Sequence, residues 1–240
     1  MSVIVSYGGG TNSVAMLVGL HERGERPDHI VFADTGGEKP HTYEHILTMQ
    51  EWCARVGFPP ITTVREAVTL EGDLLRTRAL PSIVFGFKTC SQRFKIRPVE
   101  RHIKQIGITE YTTFIGFDAD EPQRAKDFPN VRYPLIEWGW GRPECVEAIT
   151  RAGLEQPGKS ACFFCPSSKK AEILELGRRY PALLDRALAM EANAANLTSV
   201  KGLGRDFAWN DLVQWDKSQI QLFPESRVEI DCVCYDGESP

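Results

Sequence analysis

The chain has 240 residues, with 28 Lys and Arg against 32 Asp and Glu, a formal net charge of −4 and 42% hydrophobic residues. That composition suffices for one substantial core and excludes wholesale disorder, and no apolar run approaches the ~20 residues that span a bilayer. Slight acidity argues against coating nucleic acid by charge alone, and the first residues lack a basic start and a long apolar stretch, so the expectation is cytoplasmic.

Val3-Ile-Val-Ser6 reads as a strand that stops at three glycines, and Asn12 to about Gly24 carries apolar residues at helical spacing. A second strand, His29–Ala33, ends in Asp34-Thr-Gly-Gly and is followed by an amphipathic helix from Thr42 to Val56. Ile61–Val64 and Tyr111–Gly116 complete the predicted strands, with a helix over Arg97–Gly107 between them. Strands alternating with helices predict an α/β fold, a parallel sheet flanked by helices with right-handed crossovers. The later half changes character: helices are expected over Glu144–Ala152, Lys169–Arg179 and Pro181–Ala195 around a Cys-Phe-Phe-Cys-Pro turn, with a loop-rich tail. The simplest partition is an α/β domain over 1–140 and a helical, cysteine-bearing region over 141–240.

Ser6-Tyr-Gly-Gly-Gly-Thr-Asn-Ser13 places three glycines between a strand and a helix, where unpaired amides and the helix dipole make an anion cradle. It has neither the Gly-Lys-Ser/Thr of the P-loop nor the spaced glycines of the dinucleotide fingerprint. Its bland alternative is a tight turn with Thr11 or Asn12 as helix cap.

The segment resembles the pyrophosphate-binding loop of the PP-loop superfamily, Ser-Gly-Gly-x-Asp-Ser: Gly9, Gly10 and Ser13 agree, while Gly8 stands where Ser is usual and Asn12 where Asp is usual. Three further segments resemble the phosphoadenosine phosphosulfate (PAPS) reductase branch in the same order. They are Phe32–Tyr43 with its Asp34-Thr35-Gly36, Thr89–Pro98 with Cys90, Arg93 and Lys95, and Gly116–Arg124. The resemblance implies an adenine-nucleotide site on Ser6, Gly8, Gly9, Gly10, Thr11, Asn12, Ser13, Asp34, Thr35 and Gly36. Arg93, Lys95 and Arg124 would then meet phosphate or sulfate charge.

Seven cysteines in a chain with no export signal turn attention from disulfides to metal, cluster or redox roles. Cys162 and Cys165 have ligand spacing, Cys90 lies upstream, and Cys232 or Cys234 in the tail can complete a set; Cys53 and Cys145 read as core thiols. A 4Fe–4S cluster, structural zinc and a redox dithiol all suit these sulfurs. Lys159, Lys169, Lys170, Arg178 and Arg179 bracket the CxxC and read as a helix surface or as a nucleic-acid contact.

Three functions follow as expectations. In the first, ATP is cleaved at its α-phosphate to activate an acceptor, nucleic acid among the candidates, for thiolation with a sulfur donor. In the second, PAPS or adenylylsulfate is reduced to sulfite, with Cys234 as nucleophile and a thioredoxin-like reductant. In the third, the chain is a non-catalytic nucleotide sensor or partner subunit with structural zinc. Mg2+ and a homodimer are compatible with each.

Overall fold

The computed structural model describes residues 1–81, 83–84, 87–196 and 200–222. The first half runs β1 (Ser2–Tyr7), α1 (Thr11–Glu22), β2 (His29–Ala33), α2 (Pro40–Arg55), β3 (Ile61–Val64) and α3 (Leu70–Thr77). Short strands β4 (Ile83–Val84) and β5 (Phe87–Lys88) lead into α4 (Thr89–Ser91), a π-helical segment over Gln92–Ile96, α5 (Arg97–Gln105) and β6 (Tyr111–Ile115). There follow β7 (Val131–Arg132), α6 (Pro134–Glu137), α7 (Arg142–Arg151), α8 (Lys170–Arg179), α9 (Pro181–Ala194) and α10 (Trp209–Leu222).

Five strands make one all-parallel sheet in the order β3, β2, β1, β6, β7. The chain winds outward from β1 to β3 and then returns to the other side of β1, so the direction of winding reverses between β1 and β6. Side chains on the central strands divide by the two-residue period. Val5, Tyr7, Ile30 and Phe32 join the apolar cluster of α1, α2 and α7, whereas Ile4 and Val31 pack with Ile103 of α5. Buried Val14, Ala15, Met16, Leu17, Val18 and Leu20 make α1 apolar nearly all round, because it is enclosed by sheet and helices.

Packing groups the elements differently from a cut at residue 140. Cys145, Ala148 and Ile149 form an i, i+3, i+4 stripe that sets α7 against α1 and into the sheet's cluster. A second cluster gathers Leu70 and Leu74 of α3, Phe94, Phe163 and Phe164 with α8, α9 and α10. The sequence reading omitted α3, β4, β5, α4, β7, α6 and α10. No helix among the described residues is long and apolar enough to cross a membrane.

One buried carboxylate organises the second cluster. Glu191 of α9 accepts from the backbone N–H of Leu203 and Trp209, both at 2.8 Å, and of Asn210 at 2.9 Å, capping α10 from another helix. Glu191→Ala leaves three donors without this partner. The expected loss is about 3 kcal/mol, a fall of roughly 6–12 °C in Tm by circular dichroism, with Glu191→Gln intermediate.

Candidate functional site

Ligands of open parallel sheets lie beyond the carboxyl ends of the strands where the winding reverses, here between β1 and β6. Gly8, Gly9 and Gly10 carry the chain across that place from β1 into α1. Gly9 adopts φ +75°, a left-handed conformation that a Cβ would strain, and that Cβ would also lie 3.1 Å from Thr42. Gly10, extended at φ −108° and ψ 176°, is the residue that precedes the helix, so neither Thr11 nor Asn12 is its cap. The amides of Gly9 and Gly10 find no acceptor among the described residues. With the unpaired first turn of α1 they form a cluster of backbone donors at the carboxyl end of β1. Thr11 and Ser13 are buried, and Ser13 Oγ donates to Gly10 O at 2.9 Å. Ser6 lies back within β1, paired with Val31 and Ile115.

Asn12, at the unusual position of the loop, has a specific partner. Its Nδ2 donates to Asp118 Oδ2 at 2.8 Å, joining α1 to the turn after β6. Asp118 is buried, and both Asn12 Oδ1 and Asp118 Oδ1 are buried without a hydrogen-bond partner. Asp120 in the same turn accepts from the Arg142 N–H at 2.7 Å, at the start of α7.

The turn after β2 forms the next wall. Asp34 Oδ1 accepts from Gly36 N at 2.7 Å and from the Tyr43 hydroxyl at 2.9 Å. Burial, then Asp34, raises the Tyr43 phenol well above its ordinary value, so it is a donor at neutral pH. Thr35 is buried, and its hydroxyl lies 3.1 Å from Cys162 Sγ. Gly36 takes φ +73°. The cysteine segment lies directly on this turn: Glu38 and Cys162 form an antiparallel bridge, and Phe163 N donates to Gly37 O at 2.8 Å. A Cβ at Gly37 would sit 2.8 Å from the Phe164 ring, so this close approach requires glycine.

Ser160 connects that segment to the glycine loop, its Oγ 2.6 Å from Gly8 O and 3.2 Å from Glu38 Oε2. Glu38 Oε1 faces Lys95 Nζ at 3.7 Å. Burial pushes the Glu38 carboxyl up, and Lys95 and Ser160 pull it back incompletely. For Lys95 burial acts downward, but Glu38 and, where ionised, Cys162, Cys90 and Cys165 outweigh it and hold the ammonium above the ordinary lysine value. The π-helical turn over Gln92–Ile96 sends neighbouring cations to different partners. Lys95 faces Glu38, while Arg93 makes two hydrogen bonds to Asp73 of α3, at 2.5 and 3.1 Å. Arg124 pairs with Glu121 and lies 4.3 Å from the Phe117 ring. Of the three cations expected at the phosphates, only Lys95 reaches the glycine loop through a continuous set of side chains.

The cysteine set expected from sequence is not assembled by the described residues. Among them no three His, Cys, Asp or Glu side chains stand as a group that could hold a metal ion. The physical reason is local: Cys90 and Cys162 pack against the second apolar cluster, and Cys162 is engaged by Thr35. Burial and then Glu38 push the Cys162 thiol up to about 12, against Lys95 and Thr35. Cys232 and Cys234 lie outside the described residues. Cys53 and Cys145 are fully buried, as expected of core thiols. In the basic set, Lys159 pairs with Glu172, Arg179 with Glu175, and Lys170 lies over Phe207. A cavity of about 480 Å³ opens elsewhere, among Val18, His21, Trp52, Arg55 and Arg151, and the glycine loop contributes nothing to its lining.

The site residues named from sequence did not include Glu38, Tyr43, Asp118 or Ser160, although the first three lie in the segments Phe32–Tyr43 and Gly116–Arg124 that carry the resemblance.

No family model matches the chain. It is 30% identical over 155 residues to the uncharacterized nin region protein ORF290 of Escherichia phage lambda, a match covering 54% of this chain and 52% of that protein. The chain thus spans about half the length of that curated relative. Among solved structures it is similar to a PAPS reductase from Candida auris, at TM-score 0.46 and 14% identity, covering 68% of this chain and 81% of that one. It is also similar to the U34-tRNA thiolase NcsA of Methanococcus maripaludis, solved with its 4Fe–4S cluster, at TM-score 0.44 and 15% identity, covering 82% and 74%.

Proposed function

We propose that this chain is an adenine-nucleotide enzyme of the PP-loop kind that cleaves ATP at the α-phosphate and leaves the adenylyl group on an acceptor. The observation that carries the reading is the glycine turn at the sheet's reversal point, with the Gly9 and Gly10 amides unpaired and Asp34 at the end of the adjacent strand. The four resembling segments, in order along the chain, support it.

In the reaction an acceptor oxygen attacks the α-phosphorus, the bond to the bridging oxygen breaks, and pyrophosphate leaves with the electron pair. The protein's part is positioning and charge stabilisation. The loop amides and the amino end of α1 hold the departing phosphates, Asp34 offers Oδ2 to a ribose hydroxyl, and Lys95 supplies positive charge. Arg93 and Arg124 join only by leaving Asp73 and Glu121. The finer reading, that the activated acceptor then receives sulfur, rests on the resemblance.

ATP labelled in its α-phosphate should yield labelled AMP or an adenylated product plus pyrophosphate. Sulfite released from PAPS with a thioredoxin-like reductant, and no turnover of ATP, would replace this reading by sulfonucleotide reduction. Counts of iron, sulfide and zinc after anaerobic purification, beside Cys162→Ser, test the sulfur centre separately.

A further inference from the structure

We propose that Ser160, carried on the cysteine segment, is the positioning residue of the phosphate cradle: it sets the orientation of the peptide joining Gly8 to Gly9. The inference rests on the nucleotide reading above.

The Ser160 Oγ donates to Gly8 O at 2.6 Å. A peptide group is planar and trans, so its C=O and N–H point in opposite directions. Drawing the Gly8 carbonyl toward Ser160 therefore turns the Gly9 N–H away from the cysteine segment, and that N–H has no acceptor among the described residues. A glycine pair needs such a restraint. Gly8 is exposed, and a Cβ added there would meet only Ser13 Oγ, at 3.8 Å, so packing restrains the peptide from its Gly9 side alone, where Thr42, Ser160 and Phe32 lie close. Ser13 cannot supply the restraint, because its own hydroxyl is bonded to Gly10 O.

Ser160 has one hydroxyl proton between two acceptors: the shorter contact, at 2.6 Å, is to Gly8 O, and Glu38 Oε2 at 3.2 Å is the longer branch of a shared bond. Its Cβ would be 3.6 Å from a Cβ at Gly10, and the neighbouring Lys159 O faces His41 Nε2 at 3.4 Å. Two residues on, Cys162 is bridged to Glu38. The thiol-bearing segment and the phosphate-binding loop are thus joined by one hydroxyl. A disturbance of the segment at Cys162 reaches the nucleotide through Ser160.

The test compares Ser160→Ala and Ser160→Thr with the parent protein, with Ser167→Ala as a control from the same segment. ATP affinity is read by calorimetry, and the Gly9 amide by nitrogen-15 NMR of the free protein. Ser160→Ala should weaken ATP five- to tenfold, move the Gly9 amide resonance and leave Tm within about 2 °C; Ser160→Thr, which keeps the hydroxyl, should recover affinity, and Ser167→Ala should match the parent. An unchanged affinity or an unmoved Gly9 resonance in Ser160→Ala overturns the proposal. Should the parent protein bind neither ATP nor PAPS, the nucleotide reading fails, and the Gly9 resonance alone then decides whether Ser160 orients the peptide.

Discussion

Lys95→Met should lower the rate of adenylyl transfer by about 10²–10³-fold, equivalent to about 2.7–4 kcal/mol of lost transition-state stabilisation, with ATP affinity falling much less. The expectation comes from where the charge stands. Lys95 meets Glu38 at 3.7 Å, Glu38 meets Ser160, and Ser160 meets Gly8, so this ammonium is tied to the loop while Arg93 and Arg124 are occupied by Asp73 and Glu121. Its side chain is 43% exposed, so water screens the ion pair and the direct contribution to stability is about 1 kcal/mol or less. Removing the cation nonetheless leaves a buried carboxylate unpaired, and that structural effect must be separated from the catalytic one. Glu38→Gln combined with Lys95→Met removes both charges and should restore Tm but not turnover. Restored turnover in the double variant would reduce Lys95 to a structural counter-ion.

The glycine turn, the parallel strands and the ends of α2 and α9 were legible because they depend on local chemistry: β-branched runs, apolar periodicity and glycine between a strand and a helix. The partners of the charged side chains were not. In Gly116-Phe-Asp-Ala-Asp-Glu the three acids look alike in sequence, yet Asp118 is buried against Asn12, Asp120 receives the Arg142 N–H, and Glu121 binds Arg124. Arg93 and Lys95, two positions apart, read as one basic face. The π-helical turn sends them to α3 and to the turn after β2, and no periodicity argument that assumes 3.6 residues per turn anticipates that. Ser160 was invisible for a different reason, since its role depends on a contact with Gly8 across 152 positions. The grouping of α7 with the sheet was not legible either, because its apolar stripe could serve either layer and packing on α1 decides.

The departure at Asn12 yields the other large effect. Asn12→Asp would set a second carboxylate where an amide nitrogen now lies 2.8 Å from Asp118 Oδ2, in a place where Asp118 is buried and its other oxygen has no donor. Two carboxylates at that distance cannot both ionise, so one takes up a proton on folding. Holding a carboxyl of ordinary pKa near 3.9 protonated at pH 7 costs at most about 4 kcal/mol, and the expected loss is about 2–4 kcal/mol. The sign of the pH dependence follows. The carboxyl's folded pKa is raised, the folded state binds more protons than the unfolded one, and stability relative to the parent falls as pH rises through the ordinary carboxylate range. Tm of Asn12→Asp should therefore approach the parent near pH 4 and separate from it by roughly 4–16 °C at pH 7. Asn12→Asp combined with Asp118→Asn exchanges amide and carboxylate and should recover most of the loss, since the pair again holds one charge and one donor. That single charge also bears on function. With the acid carried by β6's turn, the carboxylate meets α1 through the Asn12 amide, and the exchanged pair, which puts the charge on the first turn itself, should bind ATP more weakly than the parent at equal stability. Equal affinity in parent and exchanged protein would show that the amino end of α1 does not meet the nucleotide's phosphates.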